Sequence, residues 1–333
     1  MRLFSSITIL ALFSLSAACL PASEKRDDPQ AGPRATTLTT LRIHAGGSDD
    51  SARVGDVEAG REMVIVERNG DWLRVFANTD VEKPSGDEEP EFGQADKIPP
   101  ISGWIWNRGV VTTDTPQGDL LIFGEAAGLE AEASQPHGRK NAAREARLLY
   151  RRLVEMFPGS SLAAEAAWRA ADIRWQLERA DVFSRPSAKE KENWLRQTIG
   201  EAEMKTIGKK YPHTRQADLA EWDRLDNKIC GDWQGQPDCP EKETDLFEHY
   251  ATDHPDSPKA AEALFNAVYR QAVVFDMYKA DNRQKKSEGA RDYARELAAR
   301  LRTRYSSSDF AARATSLVYK LEQGIPVYGT GIE

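Results

Sequence analysis

The sequence predicts a multidomain protein in which a small all-β barrel is followed by an all-α domain of helical repeats. Three observations support this order. Between residues 38 and 113, short β-branched and aromatic runs alternate with glycine-containing turns. Beyond residue 140, alanine-rich segments place apolar residues three and four positions apart. A short proline- or serine-containing motif recurs between these helical segments, and 333 residues exceed one ordinary domain.

The composition indicates an acidic globular protein. Hydrophobic residues make up 40% of the chain, which is enough to form cores. The formal net charge of -8 argues against a general nucleic-acid binder, because phosphate neutralisation needs clustered Lys and Arg that acids do not match. The basic stretch 139–152 also contains Glu145 and apolar residues, so we interpret it as a solvated helix face. We expect no nucleic-acid partner.

Residues 1–18 have the pattern of a secretory signal peptide. Arg2 precedes the apolar run from Leu3 to Leu15, and the small residues Ser16 to Ala18 follow it. The run is shorter than the ~20 residues that a membrane-spanning helix needs. The segment therefore predicts export rather than a permanent membrane span.

The segment Leu15 to Cys19 resembles a bacterial lipobox, whose cysteine receives a diacylglycerol and becomes the new N-terminus. This resemblance implies lipidation of Cys19 and attachment to a membrane through the lipid alone, on the periplasmic side of the cell envelope. The usual pattern has an aliphatic residue three places before the cysteine, where this chain has Ser16. Cleavage by ordinary signal peptidase near Ala18 or Ala22 is the alternative.

Two features of the next segment concern attachment of the protein to the membrane. Leu20, in place of Asp after the anchor cysteine, is compatible with outer-membrane sorting by analogy with enteric lipoproteins. Residues 19–37 are rich in Pro, Ser, Ala, Thr and charged residues without periodicity, so we predict a tether.

The three cysteines fit an exported protein. If Cys19 carries the lipid, Cys230 and Cys239 remain, and they bracket a loop rich in turn-forming residues. We predict a disulfide between them in an oxidising compartment. A metal site is the alternative, but two thiols without a second Cys or His pair fall short of a zinc signature. We therefore expect no metal and no cofactor.

Alternating residues in the β-rich segment 38–113 predict antiparallel strands. Every second side chain can face inward in Met63 to Val66 and in Trp72 to Phe76. Asn69-Gly70 lies between these runs and favours the positive φ angles of a tight hairpin. The spacing predicts a small antiparallel barrel.

Four short motifs in this segment resemble the bacterial SH3 family. They are Leu41 to Ser48, Val54 to Gly60, Asn69 to Val75 with its GxWxxV pattern, and Gly103 to Trp106. Their order implies an SH3-like barrel. The chain departs from the family at residues 78–100, an acidic, proline-rich insertion where relatives have a tight turn.

The resemblance also implies that an aromatic groove binds peptides or peptidoglycan. The candidate binding residues are Trp72, Trp104 and Trp106. The alternative is that alternation buries at least one of them in the core, since tryptophan contributes much burial in so small a domain. Their exposure decides between the two interpretations.

The second half of the chain divides into a linker, a helical domain and a tail. Residues 114–140 are predicted to be a linker, with Leu120 to Phe123 as a last strand or packing segment. Residues 141–325 have the spacing of amphipathic helices, and 326–333 form a tail.

Four turns punctuate the helical domain: Phe157 to Ser160, Tyr211 to Thr214, His254 to Ser257 and Tyr305 to Ser308. Proline ends a helix, and the nearby Ser or Thr can cap the next one. The pattern resembles the tetratricopeptide-like (TPR-like) repeats of outer-membrane assembly and cell-division-coordinating lipoproteins of Gram-negative bacteria. This implies a groove for peptides or partner helices, although the spacing exceeds the roughly 34 residues of a regular unit.

No catalytic constellation is recognisable in the sequence. The histidines and acid between His249 and His254 lie at a helix end, where capping and packing explain them. The paired acids Glu201 and Glu203, and likewise Glu241 and Glu243, fall in polar stretches typical of a surface. No phosphate-binding loop and no nucleophile motif is present.

The sequence thus predicts a non-enzymatic envelope lipoprotein that acts as a binding and scaffolding module. The barrel is expected to recognise a peptide or a cell-wall component, with peptidoglycan a candidate. The helical domain is expected to dock envelope proteins or peptides. Two alternatives stay open: an accessory or targeting subunit of a peptidoglycan-remodelling enzyme system, and a purely structural spacer.

Overall fold

The computed structural model describes residues 32–80 and 99–328, in which an antiparallel β-sheet precedes a helical region. The predicted signal peptide, the anchor Cys19, the tether up to residue 31, the insertion from 81 to 98 and residues 329–333 lie outside the described residues. Among the described helices, none has both the length and the apolar character needed to cross a membrane.

Within the described residues, seven strands form one antiparallel sheet. They are β1 (Arg34–Thr37), β2 (Leu41–His44), β3 (Arg53–Val57), β4 (Met63–Asn69), β5 (Trp72–Ala77), β6 (Ile101–Trp106) and β7 (Val110–Thr112). Their order is β3-β2-β6-β5-β4-β1-β7, and no pairing of β3 with β7 closes it in the described part of the chain. The predicted small antiparallel β unit is therefore confirmed as an antiparallel sheet.

Strand β1 begins inside the segment predicted to be a tether. Ala35 and Thr36 are fully buried, and β1 pairs with both β4 and β7. The polar composition of these residues is typical of a linker, but in the structure they pair with neighbouring strands and complete the sheet. The β unit therefore starts at Arg34 rather than at residue 38.

Alternating side chains of the strands fill a compact apolar core, as the sequence pattern predicts. The buried members are Ala35, Ile43, Val57, Met63, Ile65, Leu73, Val75, Ala77 and Ile105. Strands β4 and β5 pair up to Asn69 and Trp72, and Gly70 between them has a φ of 56°, which confirms the tight hairpin. At Gly103 a Cβ atom would lie 2.4 Å from Ile43 Cγ2, so only glycine lets β6 approach β2 this closely.

The helical region comprises nine α-helices within the described residues. They are α1 (Gly118–Ala133), α2 (Ala142–Met156), α3 (Ala163–Ser184), α4 (Ala202–Lys210), α5 (Arg215–Asp223), α6 (Asp238–Asp253), α7 (Ala260–Ala280), α8 (Gln284–Arg304) and α9 (Asp309–Glu322). No strand follows β7 in this part of the chain, which agrees with the predicted all-α region.

Helix α1 occupies most of the segment predicted to be a linker. Ile122, Ala126 and Leu129 lie four and three positions apart and are buried in a core shared with α2 and α3. The glycines of this segment favour a loop by local preference, but packing of this apolar stripe stabilises a helix instead. Leu120 to Phe123, predicted to be a last strand or a packing segment, is therefore helical and packs through Ile122.

The four predicted turns share one backbone geometry. The residues that end α2, α4, α6 and α8 are Phe157, Tyr211, His254 and Tyr305; their φ angles lie between -121° and -128° and their ψ angles between 46° and 58°. Each donates its N–H to the carbonyl oxygen four residues earlier. A helical, repeat-like region is thus confirmed. Between α3 and α4, the 3-10 turns Pro186–Lys189 and Asn193–Leu195 lengthen one repeat.

The sheet packs directly against the helices. Ala59 and Val111 of the β unit belong to the same buried core as α1, α2 and α3. A Cβ atom at Gly60 would lie 2.6 Å from the backbone nitrogen of Leu149, so the turn between β3 and β4 touches the backbone of α2. Arg144 adds an ion pair to Glu58 at 2.6 Å.

The described beginning of the tail also packs on the helices. The backbone N–H groups of Val327 and Tyr328 donate to Asp276 Oδ2 on α7, at 2.5 and 3.0 Å. The Tyr328 ring lies 6.0 Å from the ring of Trp233. Residues 326–328 are therefore held against α7.

Candidate binding surface on the β-sheet

The three tryptophans predicted to bind a ligand lie on one face of the sheet. Along β5 and β6, burial alternates, and the buried residues point into the core. Trp72 is directly opposite Trp106, and Trp104 is opposite Arg74, so all three indoles project from the face away from that core. Each of the three is half-buried.

The rings on this face contact one another. The ring centroids of Trp72 and Trp106 are 5.7 Å apart, with an angle of 40° between their planes. The His44 ring meets Trp72 edge-on, with centroids 5.4 Å apart. The guanidinium of Arg108 lies 5.0 Å from the centre of the Trp106 ring. We call these five residues, His44, Trp72, Trp104, Trp106 and Arg108, the aromatic surface.

A loop between β2 and β3 borders this surface. His44 Nδ1 donates to the carbonyl oxygen of Ser51, 3.0 Å away, which sets the orientation of its ring. In the neutral ring this leaves Nε2 as the acceptor. A Cβ atom at Gly47 would lie 3.4 Å from Trp104 Cε3 and 3.5 Å from Trp72 Cβ, so the loop backbone lies close to the Trp104 indole and to the base of the Trp72 side chain.

The alternative interpretation, that a tryptophan fills the core, does not hold for this sheet. The core is occupied by smaller side chains such as Ile43, Leu73 and Ile105, all at most 1% exposed. Trp104 and Trp106 are two positions apart and therefore share a face, a signal that was already present in the sequence. His44 and Arg108 also belong to this surface but were not predicted from the sequence, although Arg108 follows the Gly103 to Trp106 motif closely.

The aromatic surface has the chemistry to hold a ligand with flat apolar faces. Indole rings stack on apolar groups and keep an N–H available for hydrogen bonding. The Arg108 guanidinium adds a cation over the face of the Trp106 ring. Sugar rings and peptide side chains both present such faces.

The predicted disulfide between Cys230 and Cys239 is present, with Cα atoms 6.1 Å apart. Its loop is held by Glu243, which accepts hydrogen bonds from the Cys230 backbone N–H at 2.9 Å and from the Trp233 indole at 3.1 Å. Arg270 pairs with the other carboxylate oxygen at 2.9 Å. The expectation that Glu243 is a surface residue was wrong, because these donors satisfy it in a buried position, where it is 1% exposed.

The histidines of α6 and its end have packing contacts. His254 Nδ1 lies 2.8 Å from Asp218 Oδ1, and its ring is 4.8 Å from the ring of Tyr250. His249 Nδ1 contacts the carbonyl oxygen of Asp245. Across residues 32–80 and 99–328, no three His, Cys, Asp or Glu side chains are grouped so that they can hold a metal ion. Glu203, one of the paired acids named in the sequence, forms an ion pair with Arg147 at 2.8 Å.

These features define the class of the protein: an antiparallel β-sheet with an aromatic surface, packed against a disulfide-containing helical repeat region. Neither the models of known protein families nor the curated proteins include a match to this chain.

Proposed function

We propose that this protein is a non-enzymatic binding and scaffolding lipoprotein of the bacterial cell envelope. In this proposal the sheet is an SH3-like module whose aromatic surface recognises a peptide or a cell-wall component. The helices form a TPR-like array that docks protein partners. The lipid on Cys19 anchors the protein on the periplasmic side of the outer membrane.

The observation that carries the proposal is the placement of three tryptophans on the outer face of a sheet whose core is complete without them. An indole is a large apolar group, and grouping three on a water-facing surface is typical of binding sites. Packing between Trp72 and Trp106 holds the rings in place before a ligand arrives, which lowers the entropy cost of binding.

The helical repeat supports the scaffolding part of the proposal. Four turns of the same geometry connect successive helices, as in arrays that present extended surfaces to partner proteins. Since the sheet packs on α2, a ligand held by the aromatic surface and a protein docked on the helices are brought together by one chain.

A pull-down with purified peptidoglycan sacculi tests the proposal on the protein beginning at Ser23. The double variant Trp72→Ala, Trp106→Ala is expected to lose at least about tenfold in binding, because two hot-spot aromatic rings are removed. Trp194→Ala is the matched control, since Trp194 is 70% exposed on the helical side. Circular dichroism and thermal unfolding establish that each variant is folded.

Parallel arms with glycan strands and with isolated stem peptides identify which component is bound. Unchanged binding by the folded double variant excludes the aromatic surface as the site. Absence of wild-type binding to sacculi, glycan strands and peptides excludes cell-wall recognition and leaves the helical region as the functional part.

A further inference from the structure

A polar cavity of about 310 Å³ lies in the helical region between α3 and α7. Glu262, Asn266 and Arg270 on α7 are four positions apart, so they face the cavity from one side of that helix. Gln176 and Arg179 of α3 line the opposite side. The remaining lining residues are Trp222, Asp223, Leu225, Asp226, Ile229 and Phe247. The volume is at the lower end of the range for small-ligand pockets.

The other charged side chains that line this cavity are already paired. The pairs are Arg179 with Asp226 at 2.6 Å, Lys259 with Glu262 at 2.7 Å and Arg270 with Glu243 at 2.9 Å. Asp223 differs, because within the described residues its carboxylate forms no ion pair; its Oδ2 is buried beside the Trp168 indole. The cavity therefore has one acidic group more than its cations balance.

The surroundings of Asp223 disfavour its negative charge. Burial is the main cause, the carboxylates of Asp172 and Asp226 add to it, and together they raise the pKa of Asp223 to about 7. Lys259 and the indole of Trp168 act in the opposite direction without cancelling the shift. A cation that reaches Asp223 from the cavity stabilises the ionised carboxylate and supplies the ion-pair partner that it lacks.

We propose that this cavity binds a lysine side chain of a partner protein, with its ammonium at Asp223 and its aliphatic stem against Leu225, Ile229 and Phe247. The compact ammonium fits a single carboxylate. Because Oδ2 of Asp223 is buried, the carboxylate offers one oxygen to the cavity, whereas a guanidinium binds most strongly across two oxygens. The inference rests on the proposed docking role of the helices in one respect: a partner protein supplies the lysine.

The test is an NMR titration of the intact protein with the capped peptide acetyl-Gly-Lys-Gly-amide. The matched peptide carries norleucine, which has the same stem without the charge. At pH 8 the lysine peptide is expected to shift backbone signals of α5 and α7 and to bind at least about tenfold more tightly than the norleucine peptide. Lysine binding is expected to weaken several-fold at pH 6, because Asp223 is then mostly protonated.

Asp223→Asn is expected to lose about tenfold in affinity for the lysine peptide at pH 8. Asp281→Asn is the matched control, because Asp281 is exposed at the other end of α7 and does not line the cavity. The Asp223→Asn variant is expected to fold, since a neutral amide of the same shape replaces a carboxylate without an ion pair. Signal dispersion and thermal unfolding verify this.

Equal affinity for the lysine and norleucine peptides overturns the inference, and so does unchanged lysine binding by folded Asp223→Asn. An arginine peptide that binds as tightly as the lysine peptide overturns the choice of lysine. The docking role fails separately: no binding of any envelope protein in a pull-down, with lysine-peptide binding intact, contradicts that role and leaves the cavity's preference for lysine standing.

Discussion

Arg152 in α2 donates a hydrogen bond from Nε to the carbonyl oxygen of Gly60, 3.2 Å away, in the turn between β3 and β4. Its Nη2 donates to Asp80 Oδ1 at 2.7 Å, and its side chain is only 7% exposed. A buried cation thus joins two parts of the chain that are far apart in sequence. This contact shows that the sheet is held on the helices by a specific interface and not by a flexible linker alone.

Arg152→Met is expected to lower the free energy of unfolding by about 3 kcal/mol, because Asp80 and the Gly60 carbonyl lose a buried donor. Urea unfolding followed by circular dichroism measures the change. Arg302→Met, on an exposed position of α8, is the control and is expected to have little effect. Equal unfolding midpoints for the two variants contradict the structural role of Arg152.

Gly60→Ala is expected to destabilise the protein more than Gly70→Ala. Both glycines have positive φ angles, 79° and 56°, and a side chain at either costs about 1 kcal/mol in backbone strain. At Gly60 the added Cβ also meets the Leu149 nitrogen at 2.6 Å, whereas nothing lies within 4 Å at Gly70. Thermal unfolding of the two variants compares them directly, and similar losses count against close packing of this turn on α2.

Glu243→Gln is expected to cost about 3 kcal/mol of stability. The change leaves the Arg270 guanidinium, whose side chain is 12% exposed, without its carboxylate. Glu241→Gln is the matched control, because Glu241 is exposed and a glutamine there can still accept the hydrogen bond from Tyr278. Chemical denaturation measures both. Equal effects of the two substitutions contradict the role given to Glu243.

Asp223→Asn is expected to become progressively more stable than the wild type as the pH rises from 5 to 8. The pKa of Asp223 is raised on folding from 3.8 to about 7, so the folded state binds more protons than the unfolded state across this interval. Stability supplied by the protonated form is therefore lost as the pH increases towards 7. The difference is expected to grow by the order of 2 kcal/mol, as measured by urea unfolding at several pH values.

The matched control is Asp281→Asn, which introduces the same amide at an exposed position just after α7. A pH-independent stability difference between Asp223→Asn and the wild type contradicts a raised pKa at Asp223.

The three tryptophans of the aromatic surface could be predicted from the sequence, but its other members and their arrangement could not. Trp72, Trp104 and Trp106 were identified from short motifs, and the two-residue period explains why Trp104 and Trp106 share a face. Register brings Trp72 next to Trp106, and the pairing of β2 with β6 places His44 opposite Trp104, where its ring meets Trp72. Neither follows from local sequence, because register depends on pairing between strands that are distant along the chain.

The cavity and the buried acid of the helical region were not predictable. Glu243 has polar neighbours in sequence, and its burial depends on donors from Cys230, Trp233 and Arg270. Asp223 is one of many acids in the chain. Its raised pKa arises from the carboxylates of Asp172 and Asp226 and from burial, which only the folded arrangement produces.

The sequence by itself determined the order of a β unit and a helical repeat region, the hairpin at Asn69-Gly70, the disulfide and the four helix-ending turns. These depend on local periodicity, on glycine and proline, and on cysteines close in the chain. Only the tertiary structure decided that residues 34–37 and 118–133 belong to the folded units, that the aromatic residues share one surface, and that Arg152 joins sheet and helices. Those outcomes depend on burial against distant segments, which outweighs weak local preferences.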